Sequence, residues 1–188
     1  MSENITQIGS NIGGQTRSVS INEDGTIIAI GLKAFNNRKL ITKVFEWNGT
    51  SWSQLGSNII DTVNYISESA IVSLNSSGNI IAVGNPLHDS NKKGRTIIYE
   101  YSSGSWTQLG GVIIGEAIDD RSGKSVSLNS AGDIVAIGAP QNDGGGSNSG
   151  STRIYQWNGS SWNKFGTDID GEANGDKFGS VVSLSKNG

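Results

Sequence analysis

Short hydrophobic runs and short polar turns alternate along the whole chain, and the same pattern returns at regular intervals. In residues 125–128 polar and apolar side chains alternate, which is the period of a half-buried strand, whereas residues 134–137 are apolar without a break. An unbroken apolar run of that length is typical of a strand covered on both faces. Gly132 and the polar residues before it supply turn chemistry between the two runs. The pattern therefore predicts a strand–turn–strand motif.

This motif occurs three times, and the beginning of a fourth copy follows. The glycines that close its turns are separated by 53, 54 and 56 residues, and the tryptophans that follow it by 54 and 56 residues. These landmarks are Gly25, Gly78, Gly132, Gly188, Trp52, Trp106 and Trp162. Two independent landmarks with one period establish an internal repeat. We predict one repeat domain, residues 1–188, with units at about 5–51, 52–105 and 106–161 and a partial unit at 162–188.

Each unit contains four strand-like segments, here called A to D in chain order. In the third copy they cover residues 125–128, 133–138, 152–157 and 162–165. An Asn-Gly pair at 158–159 favours a two-residue hairpin turn between C and D, because such a turn needs positive φ at both central residues. Four antiparallel strands per repeat of about 50 residues predict an all-β chain of β-propeller blades, about three and a half repeats of a larger propeller. A β-sandwich and a β-solenoid are the alternatives.

Composition and charge narrow the class of protein. The chain has 27 glycines and 2 prolines, which together with the periodic apolar runs indicates many turns between short strands. The formal net charge is −3, and lysine and arginine form no long run, so we expect neither nucleic-acid binding nor membrane insertion. There is no cysteine, which excludes disulfides and thiol catalysis. The first ten residues lack the charged flank and apolar segment of a secretory signal.

The ends of strands B and the starts of strands A carry a resemblance to a known repeat. The third strand B ends in Gly138-Ala139-Pro140, and the fourth copy begins with Phe178-Gly179. These pieces resemble the FG-GAP repeat, the blade of the integrin-α-type propeller, although the first copy has neither of them. The resemblance covers nearly the whole chain. It implies a recognition platform at an extracellular or virion surface, with calcium held in the B–C loop of many members.

Oxygen-bearing side chains in the third and fourth copies are the candidates for such a metal site. The calcium pattern expected from the resemblance alternates acidic residues before a glycine, but the best loop, 139–150, offers one aspartate among asparagines. The acidic D–A stretch at 168–176 lacks the spacing of an EF-hand loop. We expect solvated turn acids and no cofactor, with weakly bound calcium as the alternative. The candidate ligands are Asn142, Asp143, Asp168, Asp170 and Asp176.

No set of residues converges on catalysis in the sequence. Gly-Lys-Ser at 123–125 looks like the end of a phosphate loop, but Ile118 stands where that loop needs a glycine, and no helix follows. His88, the only histidine, stands beside Asp89 in a loop, where we expect it to be solvated. Aromatic rings on strands C and D are expected to pack between blades rather than to stack on sugars. We therefore predict that the chain is not an enzyme.

Blade topology places the candidate binding surface. In an up-and-down blade the B–C and D–A connections emerge on one face, and these are the long, variable segments of this chain. Variable loops on a rigid scaffold are where binding sites are usually built. We therefore predict a recognition or adhesion module that binds a protein or a glycan through this face. The alternative is a structural or assembly component, such as a surface or virion subunit, in which the propeller is a rigid scaffold.

The strand count predicts an incomplete ring. One strand D at 5–8, three complete units and a last strand A at 180–184 give 14 strands, whereas a small propeller has about 16. We expect the open blade edges to be completed by a longer polypeptide, by a strand-supplying partner or by self-association. Two copies of the chain do not fill the gap, because each joint still lacks strands B and C.

Overall fold

The chain folds into three antiparallel β-sheets that follow one another along the sequence. The computed structural model describes residues 7, 9–12, 16–34, 39–62 and 69–188, and in this part all regular secondary structure is β-strand. In the same residues no helix could span a membrane. The first sheet consists of β1 (Thr16–Ile21), β2 (Ile27–Ala34), β3 (Lys39–Trp47), β4 (Trp52–Gln54) and β5 (Ile59–Thr62). The second consists of β6 (Ile71–Leu74), β7 (Ile80–Asn85), β8 (Arg95–Ser102), β9 (Ser105–Gln108) and β10 (Ile113–Ile114). The third consists of β11 (Ser125–Leu128), β12 (Ile134–Ala139), β13 (Ser151–Trp157), β14 (Trp162–Lys164) and β15 (Ile169–Asp170).

Strands that are neighbours in sequence are also neighbours in each sheet. The order is β1-β2-β3-β4 in the first sheet, and β6 to β9 and β11 to β14 repeat it in the other two. The short strands β5, β10 and β15 pair with the same third strand as β4, β9 and β14 do. This is the predicted A–B–C–D meander, and the propeller-type blade is confirmed. We call the sheets blade one, blade two and blade three.

Strand D is longer than the sequence indicates and is broken in the middle. Its first half pairs with the end of strand C, and its second half pairs with the beginning of strand C. A glycine with positive φ follows the first half in every blade, at 72°, 75° and 80° for Gly56, Gly110 and Gly166. Only glycine adopts this backbone without strain. The prediction that Asp168 and Asp170 lie in a D–A loop is therefore wrong, because Asp170 ends β15 and Asp168 lies just before that strand.

The C–D hairpins form as predicted, but the Asn-Gly pair does not make the expected two-residue turn. In blade three the hairpin loop has four residues, 158–161, and only the glycine of the pair has positive φ, 95° at Gly159. The Asn158 side chain closes the loop by accepting two backbone N–H groups, both at 2.9 Å. An asparagine side chain replaces a backbone turn in this way. The two-residue turn with positive φ at both centres occurs in blade two, at Ser103-Gly104.

Strands A of successive blades lie side by side around a common axis. β6 packs against β1 and β2, and β11 packs against β6 and β7. A serine hydroxyl oxygen of each strand A accepts a hydrogen bond from the next segment's backbone N–H. The donors and acceptors are Leu74 and Ser20 at 2.9 Å, Leu128 and Ser73 at 3.0 Å, and Leu184 and Ser127 at 2.9 Å. The third bond places residues 179–188, here called the terminal segment, where a fourth strand A would lie.

The row of strands A curves back toward its start. Lys186 of the terminal segment reaches Glu23 of blade one, with 3.1 Å between the ammonium nitrogen and a carboxylate oxygen. In a linear solenoid the first and fourth repeats would lie far apart, because each repeat contacts only its neighbours. The curvature therefore favours the propeller over the solenoid.

The hydrophobic cores lie between blades rather than within them. One buried cluster joins blade one to blade two, and a second joins blade two to blade three. Five of the six residues of β7 and of β12 are buried, so strand B is deeply enclosed, as predicted. Ala82 of β7 lies in the cluster shared with blade three, which confirms that it faces a neighbouring sheet. Ala136 of β12 is buried as well.

Glycines of strand B allow the next blade to approach the backbone closely. A Cβ on Gly84 would lie under 3.0 Å from the carbonyl oxygen of Gly123, and a Cβ on Gly138 equally close to that of Gly179. Neither strand-B glycine has a positive φ, so the neighbour and not the local conformation requires glycine. The close packing predicted from the sequence is confirmed. It also brings Gly138 of strand B and Gly179 of the terminal segment into contact.

An aromatic pair at each C–D hairpin ties a blade to strand D of the blade before it. The indole N–H of Trp106 donates to the Leu55 carbonyl oxygen at 3.0 Å, and that of Trp162 to the Leu109 carbonyl oxygen at 2.9 Å. The ring centroids of the pairs Trp47–Trp52, Tyr101–Trp106 and Trp157–Trp162 are 5.4, 5.2 and 5.5 Å apart. Each pair lies over a glycine, and these glycines are Gly9, Gly56 and Gly110. The prediction that the rings pack between blades is confirmed.

The predicted terminal strands are placed only in part. The first strand D, at 5–8, lies outside the described residues except for Gln7. The last strand A, at 180–184, is described but forms no strand, so this prediction is wrong. A strand needs a backbone partner, and in the described part no strand B pairs with the terminal segment. The division of the domain into units at 5–51, 52–105, 106–161 and 162–188 stays a prediction.

Candidate binding face

The connections between strands emerge at two opposite faces. The B–C loops (86–94 and 140–150) and the D–A loops (115–124 and 171–179) lie on one face, which we call the loop face. The A–B and C–D turns lie on the other, which we call the turn face. The corresponding loops of blade one include residues outside the described part.

In blade two the B–C loop and the D–A loop are tied together by their backbones. The N–H of Ser122 donates to the Lys93 carbonyl oxygen, and that of Arg121 to the Lys92 carbonyl oxygen, both at 3.0 Å. Gly94 and Ser122 also form a parallel bridge. The two irregular loops thus satisfy each other's backbone groups and form one layer.

Blade three repeats this arrangement with other side chains. The N–H of Phe178 donates to the Ser149 carbonyl oxygen at 2.8 Å, and that of Lys177 to the Asn148 carbonyl oxygen at 3.2 Å. Gly150 and Phe178 form the equivalent parallel bridge. The backbone of the loop face is therefore a repeated feature of the blade, whereas its side chains differ between blades.

A buried aspartate links the loops of neighbouring blades. Asp120, in the D–A loop of blade two, accepts the N–H of Ala117 in its own loop at 2.7 Å. The same carboxylate oxygen accepts the side-chain amide of Asn142, in the B–C loop of blade three, at 3.2 Å. The loop face of blades two and three is consequently continuous across the joint.

A buried arginine connects blades two and three beneath the loop face. The guanidinium of Arg153 bonds the carboxylate of Glu116 in blade two, and its Nε lies 3.1 Å from Asp168 Oδ2 in its own blade. Burial lowers the pKa of Arg153, but the two carboxylates outweigh burial and leave this pKa raised. Burial raises the pKa of Asp168, but bonds from Lys164 and Arg153 outweigh burial and leave this pKa lowered. Both groups are therefore charged at neutral pH.

His88 lies in the B–C loop of blade two and is less exposed than the sequence indicates. Its side chain is 13% exposed, and its Nε2 lies 3.4 Å from Asp89 Oδ2. Burial lowers the pKa of His88, and the opposing effect of Asp89 does not reverse the shift. The expectation of a solvated histidine is wrong because the loop is packed, as the buried neighbour Leu87 shows.

The predicted oxygen ligands in blade three have mostly local partners. Asp143 and Asp176 each accept a backbone N–H of their own loop, at 2.7 and 2.8 Å. Asp168 pairs with Arg153 and Lys164. These three carboxylates therefore stabilise loops or ion pairs.

Two of the candidate ligands do converge. The Oδ1 atoms of Asn142 and Asp170 lie 2.9 and 3.0 Å from the point where Gly144 would carry a Cβ. In the described residues no group of three or more histidine, cysteine, aspartate or glutamate side chains could hold a metal ion. The Asn142 Oδ1 atom already accepts the Gly144 N–H at 2.8 Å. The expectation of no cofactor, with weakly bound calcium as the alternative, stays a prediction.

A cavity of 310 Å³ opens on the turn face, at the axis around which the strands A are arranged. Equivalent residues of the three A–B turns and of the terminal segment line it, and these are Glu23, Ser76, Ser130 and Lys186. Hydrogen bonds from Ser76 and Lys186 lower the pKa of Glu23. The repeat spacing shows that these residues are equivalent. It gives no reason to expect a cavity between them, because the turns are short.

Comparison with known proteins supports the fold. No family model and no curated protein matches the sequence. A hypothetical selenium-binding protein from Sulfolobus tokodaii is similar in structure, with a TM-score of 0.58, 7% identity and coverage of 84% of this chain and 41% of that chain. A putative 6-phosphogluconolactonase from Bacteroides uniformis has a TM-score of 0.55 and 14% identity, covering 89% and 44%. Another from Bacteroides fragilis has a TM-score of 0.55 and 13% identity, covering 82% and 39%.

Of these structural neighbours, the two 6-phosphogluconolactonase-like proteins are β-propellers, which agrees with the blades and their arrangement around an axis. The chain spans about two fifths of the length of each of the three. At such low identities the likeness extends to the fold alone.

Proposed function

We propose that this chain is a non-catalytic recognition module that binds a protein or a glycan through the loop face. The observation that carries the proposal is the backbone bonding between B–C and D–A loops. At the contacts between these loops, four non-glycine residues have φ between 50° and 55°: Lys92, Arg121, Asn148 and Lys177. Such left-handed residues are retained where the surrounding structure determines them, often at ligand-binding sites. A surface held in this way loses little conformational entropy when it binds.

The side chains carried by this backbone support recognition rather than a purely structural role for the loops. Lys92 and Arg121 of blade two occupy the positions of Asn148 and Lys177 in blade three. The Lys92 Nζ atom also lies 3.0 Å from Asp119 Oδ1, so the Asp119 carboxylate partly neutralises the charge of Lys92. A constant backbone with side chains that differ between blades is typical of binding surfaces built on a rigid scaffold.

We extend the proposal to the FG-GAP class of repeat. Its support is the contact between Gly138 and Gly179, to which Ser125 adds a hydrogen bond from its hydroxyl to the Gly179 carbonyl oxygen at 2.7 Å. A module of this class would act in recognition or adhesion at an extracellular or virion surface.

Binding of the purified chain to a glycan array, and to protein ligands displayed in the same format, tests the proposal. The loop-face variant is Lys92→Glu with Lys93→Glu, and the matched turn-face variant is Asp24→Lys with Glu46→Lys. We expect the loop-face variant to lose binding and the turn-face variant to keep it. The reverse result would move the site to the turn face. Hydrolysis of 6-phosphogluconolactone, which we expect to be absent, would contradict the non-catalytic role.

A structural or assembly role is the second candidate, and exposed apolar side chains favour it. Ile21 and Val19 at one end of the row of blades, and Ile169 and Phe165 at the other, are all large, apolar and exposed. Apolar surface of this kind on a soluble protein marks interaction sites. If the chain is chiefly a scaffold, loop-face variants will leave its interactions unchanged and variants at these ends will abolish them.

A further inference from the structure

Blade three has an uncovered surface at a place where blades one and two are covered. We call the side of a blade that faces the next blade its trailing face. Ile59 and Ile113 on the trailing faces of blades one and two are 6% and 7% exposed, whereas Ile169, at the same position of blade three, is 49% exposed. The glycines at the break of strand D are covered by aromatic pairs in blades one and two, but nothing described lies within 4 Å of the Cβ position of Gly166.

Blade one has the matching uncovered surface on its opposite side, which we call the leading face. Leu74 and Leu128 on the leading faces of blades two and three are each 7% exposed. Ile21, the equivalent residue of blade one, is 56% exposed, and Val19 beside it is also exposed. The trailing face of blade three and the leading face of blade one are therefore the two halves of one repeated joint.

The charges of these two faces also match. Arg153 of blade three bonds Glu116 of the blade before it. Lys43 of blade one has the same position in strand C as Arg153 of blade three. Each follows a threonine that pairs with the first residue in the second half of strand D. Glu172 of blade three corresponds to Glu116 in the aligned D–A loops. In the described part neither Lys43 nor Glu172 forms an ion pair.

We propose that the trailing face of blade three binds the leading face of blade one in a second copy of this chain. Two copies then form two identical joints and close a ring of six blades, within the usual range of about 4 to 8. The row of blades curves toward closure, because Lys186, in the place of a fourth strand A, meets Glu23 of blade one.

In the dimer, β1 of the second copy displaces the terminal segment, which therefore does not remain as an extra strand. The terminal segment, 179–188, lies on blade three where β1 of the second copy binds, and its Leu184 N–H occupies Ser127 Oγ. In the dimer the N–H of Ile21 takes that acceptor, as Leu74 and Leu128 take theirs in the other joints. If the terminal segments stayed in place as strands A of a further blade, each joint would lack strands B and C of that blade. Their displacement removes this gap.

The same exchange occurs at the aromatic pair of blade one. Trp47 and Trp52 lie over Gly9 in the single chain and lie over Gly166 of the second copy in the dimer. The contacts with the terminal segment and with Gly9 are thus replaced by equivalent contacts with the second copy, as in domain swapping. The gain is the burial of Ile21 and Ile169. The loss is the Lys186–Glu23 pair, which contributes little because its side chains are 70% and 59% exposed.

Light scattering after size exclusion, with sedimentation equilibrium, tests the proposal on the 188-residue chain. We expect the mass to rise with concentration from 19.7 kDa to twice that value and no further. Ile169→Lys and Ile21→Lys should each raise the dimer dissociation constant at least about tenfold, because each buries a charge in an apolar joint. Ile114→Lys is the matched control, since Ile114 is 54% exposed although its own joint is formed.

Charge reversal and mixing sharpen the test. Lys43→Glu should weaken the dimer, and adding Glu172→Lys to the same chain should restore it. Equimolar Ile21→Lys and Ile169→Lys chains should pair through their one intact joint. A folded monomer at every concentration overturns the proposal, and so does a dimer that both isoleucine variants leave unchanged, or a polymer. The isoleucine variants leave the loop face unchanged, so their result is independent of the proposed binding function.

Discussion

Replacement of Gly84 by alanine perturbs the joint between blades two and three by one methyl group. The new Cβ would lie under 3.0 Å from the Gly123 carbonyl oxygen and 3.1 Å from Val126 Cγ1. Overpacking of this kind costs about 1–3 kcal/mol. The upper half of that range applies, because the nearest atom is backbone and cannot rotate away. Loss of glycine freedom in the unfolded chain returns about 0.5–1 kcal/mol. The expected net loss of stability is therefore about 2 kcal/mol.

Thermal unfolding measures this loss. For a chain of this length 1 kcal/mol corresponds to about 2–4 °C, so the Tm of Gly84→Ala should fall by about 4–8 °C. Gly111→Ala is the matched control, because nothing described lies within 4 Å of its Cβ position and its φ is not positive. Its Tm should stay the same or rise slightly. Equal Tm values for the two variants would refute the explanation of the strand-B glycines.

Four further predictions concern single groups. Ala136→Leu should lower stability by about 1–3 kcal/mol in thermal melts through overpacking of strand B, and an unchanged melt would count against the blade assignment. Trp106→Phe should cost about 1–2 kcal/mol in urea unfolding, because the Leu55 carbonyl loses its indole donor. Burial lowers the pKa of His88, so its contribution to stability is complete above its ordinary pKa of 6.5 and falls as the pH drops below that value. In urea unfolding between about pH 7.5 and 5, His88→Asn should remove this dependence of the unfolding free energy on pH. Calorimetry should find no calcium affinity tighter than about millimolar, and tighter binding would contradict the expectation of solvated turn acids.

The blades could be predicted from the sequence because their determinants are local and repeated. The alternation at 125–128 and the unbroken apolar run at 134–137 became β11 and β12, paired in the predicted order. The fixed spacing of the turn glycines gave the number of complete blades. The close approach at Gly84 and Gly138 followed from the absence of a side chain in an otherwise apolar strand.

Features that depend on contacts between distant residues could not be predicted in the same way. The break in strand D depends on the positive φ of Gly166. The sequence around a glycine does not determine its φ. The turn at Asn158 was decided by a side-chain hydrogen bond that competes with the two-residue turn. The burial of His88 follows from the packing of its loop, and the turn-face cavity from the meeting of four turns. Each of these depends on how the units are arranged around the axis.

That arrangement can be tested most directly by carbodiimide cross-linking of the monomer at low concentration, followed by peptide mass spectrometry. The reagent joins a carboxylate and an amine only when they are in contact. Lys92 and Asp119, 3.0 Å apart within blade two, provide the internal positive control. If the blades curve around a common axis, an amide will form between Glu23 and Lys186, which are 163 residues apart in sequence. A Lys92–Asp119 link without a Glu23–Lys186 link would contradict the propeller arrangement.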